Sequence, residues 1–185
     1  MRNFNFLSHA AAALIVTILC GLIYVSVQQS HRSAANDPQL QIARDIRERL
    51  NNNRSIQGLW EGDTFEISKS LAVFKVLYNI NGEPVQSTGM LNGKLPQIPK
   101  GVFDFTRKHE EDVVTWQPQH GVRMAMVVES ISSPGVAFIA VGRSLEETEK
   151  RVGNLTTMLL VGWIACLGII IFHSLLFITL KNRNK

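Results

Sequence analysis

Residues 113–142 read VVTWQP, QHG, VRMAMVVESI, SSPG and VAFIAVG, and this stretch decides the fold. Its three runs are rich in β-branched and other apolar residues. Two short turns that contain glycine, at residues 119–121 and 132–135, separate the runs. Apolar runs of this kind, joined by turns of three or four residues, are typical of antiparallel strands. The stretch therefore predicts a three-stranded antiparallel meander.

A second pair of strands is predicted upstream, in VFKVLYNI (residues 73–80) and EPVQST (residues 83–88). Asn81-Gly82 joins them, and Asn-Gly between two such runs is a strong hairpin signal. Pro84 has no amide hydrogen to give to a neighbouring strand, so it belongs at a strand start or on a sheet edge. Trp60 to Ser70 is left open between a short helix and a loop.

Two helices are predicted in this middle part of the chain. GVFDFTRKHEED (residues 101–112) can form a short amphipathic helix. Asp37-Pro38 has the residues of a helix start, an N-cap followed by proline at the first helical position. Helical spacing follows, and Asn51-Asn52-Asn53 ends the pattern; the spaced positions are Leu40, Ala43, Ile46 or Arg47, and Leu50. The predicted fold is α+β, an antiparallel sheet of about five strands with helices on one side.

Both ends of the chain contain an apolar block. Ala10 to Val27 has eighteen residues without a charge, and Leu155 to Leu180 has twenty-six, with His173 as its ionisable group besides Cys166. At 1.5 Å per residue the blocks are roughly 27 and 39 Å long, against a hydrocarbon core of ~30 Å. We therefore predict two transmembrane helices, at residues 10–27 and 155–180. A cleaved signal peptide is the alternative for the first block, which is longer than a typical signal core and has no good cleavage site close behind it.

Charge placement predicts the orientation. All fifteen Asp and Glu residues and fifteen of the nineteen Lys and Arg residues lie between residues 28 and 154, so the net charge of +4 comes from the two ends. Basic residues in short tails are retained on the cytoplasmic side. We expect tails 1–9 and 181–185 in the cytoplasm of a bacterium, and domain 28–154 on the outer side of its inner membrane. The basic tails can touch anionic lipid headgroups, and they argue against a nucleic-acid partner because no folded face is basic.

The exit from the domain matches a helix-capping motif. Ser144 is expected to be the N-cap and Glu147 the third helical residue of a helix that starts at Leu145. No proline follows, so this helix is predicted to run into the second apolar block. Such a helix can transmit a displacement that a loop would absorb.

Several stretches resemble the exocytoplasmic, PAS-like and PDC-related sensor regions of bacterial two-component histidine kinases. They are VQQSHRSAANDPQLQIARD, SLAVFKVLYNINGEPVQSTG, LPQIPKGVFDFTRKHEEDVVTWQPQHGVRMAMVV and FIAVGRSLEETEKRV, which together cover roughly residues 20–165. The resemblance implies a PAS-like five-stranded antiparallel sheet with flanking helices and a signalling helix that enters the second span. The chain ends five residues after that span, without kinase domains, so we expect a sensor-like part that depends on another protein, such as a separate histidine kinase.

Candidate site residues follow from this reading. In a PAS-like fold a ligand lies against the sheet, and Tyr78, Trp116 and Arg123 are the candidate lining, with Arg123 placed to grip a carboxylate. Trp116 as plain core and Arg123 on the solvent face remain the alternative. His109 and His120 are expected to be exposed turn residues rather than metal ligands, since zinc needs three or four convergent ligands. Neither a cofactor nor a metal is predicted.

Small residues in the apolar blocks predict close helix packing. Ala13, Thr17 and Gly21 recur at a spacing of four, and Gly162 and Cys166 form a second stripe. Whether the stripes pack within one chain or between two chains of a homodimer stays open. Cys20 and Cys166 both lie in these blocks, so the predicted outer domain has no cysteine for a disulfide or a thiolate metal site.

The sequence contains no catalytic motif, and three hypotheses remain. The first is a non-enzymatic sensor-like membrane protein that responds to a small ligand or a partner. The second is a scaffold or assembly subunit that binds another membrane protein. The third is a membrane-anchored hydrolase, which the absence of a nucleophile arrangement disfavours.

Overall fold

A computed structural model of the chain describes residues 2–52, 54, 60 and 63–183, with side chains from residue 7 to residue 180 in these ranges. It divides into two compact units. One comprises Met1–His31 and Lys150–Lys185, and the other comprises Arg32–Glu149, against the predicted domain 28–154. The basic side chains of both predicted tails lie outside the described side chains.

Three helices and seven strands make up the described chain. The helices are α1 (Arg2–Asn51), α2 (Lys100–His109) and α3 (Glu146–Arg183). The strands are β1 (Phe65–Glu66), β2 (Phe74–Tyr78), β3 (Pro84–Ser87), β4 (Gly89–Met90), β5 (Glu111–Gln119), β6 (Val122–Ser133) and β7 (Val136–Ser144). A short 3-10 turn covers Ile67–Lys69.

The second unit is built on a five-stranded antiparallel sheet in the order β3-β2-β7-β6-β5. The predicted hairpin and meander are both present. The first turn contains Gly82 at φ +77, a conformation that glycine adopts at little cost. Pro84 is the first residue of an edge strand, as its missing amide hydrogen predicts. In the stretch that the sequence left open, β1 pairs in parallel with β4, and residues 61–62 lie outside the described residues.

Helices cover both faces of the sheet, and the prediction of helices on one side is wrong. The core that includes Phe103 of α2 packs on one face, with Val76, Met126 and Val128. Ala43, Ile46 and Leu50 of α1 pack on the other face, with Val127 and Ile139. Because successive side chains of a strand point to opposite faces, Val127 and Val128 belong to different layers. The unit is therefore an α/β/α arrangement of three layers within the α+β class.

The predicted helix start at Asp37-Pro38 is also wrong, because α1 runs through Pro38 without a break. Proline inside a helix removes one backbone hydrogen bond, but its fixed φ is compatible with helix. Ala34, whose carbonyl would accept that bond, is exposed and open to water. The predicted end of the helix is confirmed, since α1 ends at Asn51.

Two of the helices contain long apolar segments. Leu7–Asn51 and Glu146–Leu180 each contain a window of mean hydropathy 2.4 that is 0% buried. By length and composition alone, both helices can cross a membrane.

Candidate functional site

A glutamate is fully buried between α1 and the sheet. Glu129 is the central residue of the alternating set Val127, Glu129 and Ile131 on β6, and all three face α1. Its side chain is 0% exposed. A carboxylate at a core position of a central strand is costly unless it is paired, so its neighbours decide what it does.

Two arginines of α1 approach this carboxylate. Arg47 Nε lies 2.9 Å from Glu129 Oε2, and Arg44 Nε lies 3.8 Å from Glu129 Oε1. The two arginines are three residues apart and so share one side of the helix. Both lie next to the buried residues Ala43 and Ile46, so their aliphatic parts can pack on apolar surface. Their side chains remain partly in solvent, with Arg44 55% exposed and Arg47 32% exposed.

Two more carboxylates complete the cluster. Glu111 of β5 is the cross-strand partner of Glu129, and its Oε2 accepts hydrogen bonds from Arg44 Nε and Nη2 at 3.1 and 3.0 Å. Glu110, directly before β5, lies 3.9 Å from Arg47 Nη1. We call these five residues the carboxylate–arginine cluster. Fully ionised, its three glutamates and two arginines carry one excess negative charge.

Burial raises the pKa of Glu129 to about 7. The nearby Glu111 carboxylate adds to this rise, while Arg47 and Arg44 oppose it without cancelling it. Arg47 Nε, at 2.9 Å from Glu129 Oε2, is the nearest cation to the ionised carboxylate, and its attraction does not make up for the loss of water around a fully buried side chain. Glu129 therefore changes charge near neutral pH, at the contact between α1 and the sheet.

The predicted ligand-lining residues lie in two places. Tyr78 and Trp116 belong to the same core, on the α2 face of the sheet. The Tyr78 hydroxyl donates to the Pro96 carbonyl at 2.8 Å, and burial raises the pKa of this phenol. Arg123 is partly exposed and forms an ion pair with Glu149 in the first turns of α3. The structure thus brings two of the three candidates together and places Arg123 outside their cluster.

The start of α3 is held to the sheet by side chains. Ser144 Oγ accepts the backbone N–H of Glu146 at 3.2 Å, and α3 begins at Glu146, one residue after the predicted start. Glu147 accepts from Arg143 of β7 at 3.4 Å. With the Arg123–Glu149 pair, two central strands each contribute an arginine to the first two turns of this helix.

The two apolar helices contact each other through Thr17. Its hydroxyl donates to the Ala13 carbonyl at 2.8 Å and accepts from Trp163 Nε1 at 3.0 Å. Gly21 lines a groove of about 360 Å³ beside Trp163, together with Cys20. Thr17 and Gly21 of the first predicted small-residue stripe therefore lie beside Trp163 of α3, and Gly162 and Cys166 of the second stripe are exposed.

His109 and His120 do not assemble a site, and His109 is the last residue of α2 rather than the turn residue that was predicted. His109 stacks on Phe105, and His120 lies exposed in the turn between β5 and β6. Among the residues that the structure describes, no group of three or more His, Cys, Asp and Glu side chains is arranged to hold a metal ion.

Sequence reasoning missed the carboxylate–arginine cluster, although a signal for it was present. In VRMAMVVESI, period two places Glu129 on the same face as Val127 and Ile131. A charge at a core position of a central strand is rare enough to mark a site.

No family model matches the sequence, and a comparison with curated proteins also gives no match.

Proposed function

We propose that the chain is a two-pass membrane protein whose sheet unit acts as a sensor-like domain outside the cytoplasmic membrane. The domain responds to a small ligand or a partner and signals through α3 into the second apolar segment, without catalysis of its own. The signal is received by another membrane protein, such as a separate histidine kinase. The PAS-like identity and the orientation with both termini in the cytoplasm are part of this proposal.

The observation that carries the proposal is the junction between β7 and α3. β7 ends at Ser144 and α3 begins at Glu146, so one residue separates the sheet from the helix. Arg123 and Arg143 tie the first turns of α3 to β6 and β7. A displacement of these strands is therefore passed to the helix, because no flexible linker absorbs it.

The exposed apolar surface of the terminal helices supports the membrane location. Large apolar side chains such as Leu22, Ile164 and Phe172 are more than half exposed in the described chain. Exposure to water costs about 25 cal/mol for each Å² of apolar surface, and a bilayer removes that cost. The charge asymmetry described above orients the two segments.

The experiment uses the native Cys166 as a reporter on α3. A Cys20→Ser variant of the full chain leaves Cys166 as its one thiol for a spin label, and the protein is placed in phospholipid nanodiscs. We expect Arg123→Gln combined with Arg143→Gln to change the spectrum and lipid accessibility of this label. Lys108→Gln, an exposed change on α2, is the matched control and is expected to leave both unchanged.

An unchanged Cys166 signal in the double variant, with the sheet still folded by circular dichroism, contradicts the proposal. The scaffold alternative is separated by crosslinking the full chain in its native membrane. A stoichiometric partner whose binding does not change the Cys166 signal favours a scaffold, whereas a partner or metabolite that changes the signal favours a sensor.

A further inference from the structure

We infer that the packing of α1 on the sheet is controlled by a proton: ionisation of Glu129 loosens this packing, and protonation tightens it. This inference rests on the proposed function in one respect: it treats the loosened and tightened states of α1 as the signal that α3 passes on. The contact itself is a property of the sheet unit.

The position of Glu129 makes the contact sensitive to its charge. Its side chain lies between β6 and α1 and is fully buried, so a charge there has no water around it while α1 is docked. If α1 moves away, water reaches the carboxylate and stabilises the ionised form. Ionisation therefore favours the loosened state, by thermodynamic linkage.

The surrounding charges set the direction of the effect. The groups that face Glu129 are Arg44 and Arg47 from α1, Glu111 from β5 and Glu110 from the residue before it. Its neighbour on β7 is the uncharged Ile139. With Glu129 protonated, two arginines balance two carboxylates, with Arg44 on Glu111 and Arg47 within 3.9 Å of Glu110. Ionisation adds a third carboxylate, which is the buried one.

The size of the pH effect on docking follows from the pKa of the Glu129 carboxyl group in the docked and the loosened state. The pKa of Glu129 is about 7 when α1 is docked and returns to its ordinary value of 4.5 when the group is hydrated. The difference of about 2.5 units corresponds to a change of up to about 300-fold in the docking equilibrium between the acid and alkaline limits. Most of this change falls between these two pKa values.

Amide hydrogen exchange of the full chain in nanodiscs tests the inference. The docked part of α1, residues 40–50, forms one reporter, and β7 forms the other. After correction for the intrinsic pH dependence of exchange, we expect protection of residues 40–50 to fall by up to about 140-fold between pH ~4.5 and ~8, and β7 to lose less. Glu129→Gln is expected to abolish this dependence, and Glu48→Gln, an exposed change on the same helix, is expected to retain it.

A second variant keeps the test decisive if Glu129→Gln does not fold. Arg47→Gln removes the cation that most favours ionised Glu129, so the pH at which the carboxyl group titrates is expected to rise. The infrared band of the protonated carboxyl group follows this titration directly. A band that does not titrate near neutral pH, or equal loss of protection in α1 and β7, overturns the inference.

The spin label at Cys166 separates this inference from the proposed function. If residues 40–50 loosen with pH and the label also responds, both stand. If residues 40–50 loosen and the label responds neither to pH nor to the double arginine variant, the proton-controlled contact stands and signalling through α3 fails. If exchange is independent of pH and the label responds to the arginine variant, the inference fails and the proposed function stands.

Discussion

Replacing Glu129 by glutamine changes how the stability of the whole sheet unit depends on pH. The pKa of Glu129 is about 7 in the folded unit and 4.5 for an ordinary glutamate. Since the folded state binds the proton more tightly, this group contributes most to stability below the ordinary pKa, and the contribution is lost as the pH rises to about 7. The full loss is about 3 kcal/mol, from 1.36 kcal/mol for each pKa unit.

The assay is urea unfolding of the full chain in detergent micelles, followed by the fluorescence of the buried Trp116 in a variant that lacks the other two tryptophans. We expect the difference in the free energy of unfolding, the unsubstituted Glu129 chain minus the Glu129→Gln variant, to fall by about 2 kcal/mol between pH ~5.5 and ~8. The comparison uses the change with pH, so any constant cost of the amide cancels. Glu48→Gln removes one exposed carboxylate from the same helix and is expected to show no such change.

A flat difference between pH ~5.5 and ~8 refutes this reasoning, because it means that Glu129 has the same proton affinity in the folded and unfolded chain. A relative stability that rises with pH is a stronger contradiction. It means that Arg47 and Arg44 outweigh burial, and that the cluster is an ordinary ion-pair network.

The remaining predictions concern packing, capping and the contact between the two apolar helices. Gly142→Ala is expected to destabilise the sheet unit by about 1–3 kcal/mol in urea unfolding, because the added methyl meets the Phe74 ring, while Gly101→Ala, with open space, does not. Ser144→Ala removes the acceptor of the Glu146 amide and is expected to cost about 0.5–2 kcal/mol in the same assay, with the exposed Ser132→Ala as control; equal losses would exclude a capping role. Trp163→Phe and Thr17→Val, combined in a double-mutant cycle in mixed micelles, are expected to give a coupling energy of about 0.6 kcal/mol, and additive effects would show that their hydrogen bond does not stabilise the helix pair.

The strands were predictable because their signals are local. Asn81-Gly82 and the turns predicted at residues 119–121 and 132–135 indicate where the chain reverses, and the structure narrows the last two reversals to residues 120–121 and 134–135. The apolar runs between the turns leave little choice of structure. The two-sided cover of the sheet was readable in principle. VRMAMVVESI and VAFIAVG are almost continuously apolar, which is typical of strands buried on both faces.

Features that depend on distant partners were not predictable from local sequence. Asp37-Pro38 has the residues of a helix start, yet α1 continues through it, with its later turns packed on the sheet. Arg123 was a candidate ligand residue, with the solvent face as the alternative, and its ion pair with Glu149 could not be predicted because the partner lies twenty-six residues away on another element. The carboxylate–arginine cluster joins α1 to two strands that are more than sixty residues away in sequence.

Pro38 has a mechanical consequence for α1. It immediately precedes Gln39, the first fully buried residue of the docked turns, and it leaves the Ala34 carbonyl without its usual intrahelical donor. Helices bend most readily where a backbone hydrogen bond of this kind is missing. α1 therefore bends most easily at Pro38, directly before the turns that pack on the sheet. A bend at this point lets the packed turns change their angle without a break in the helix.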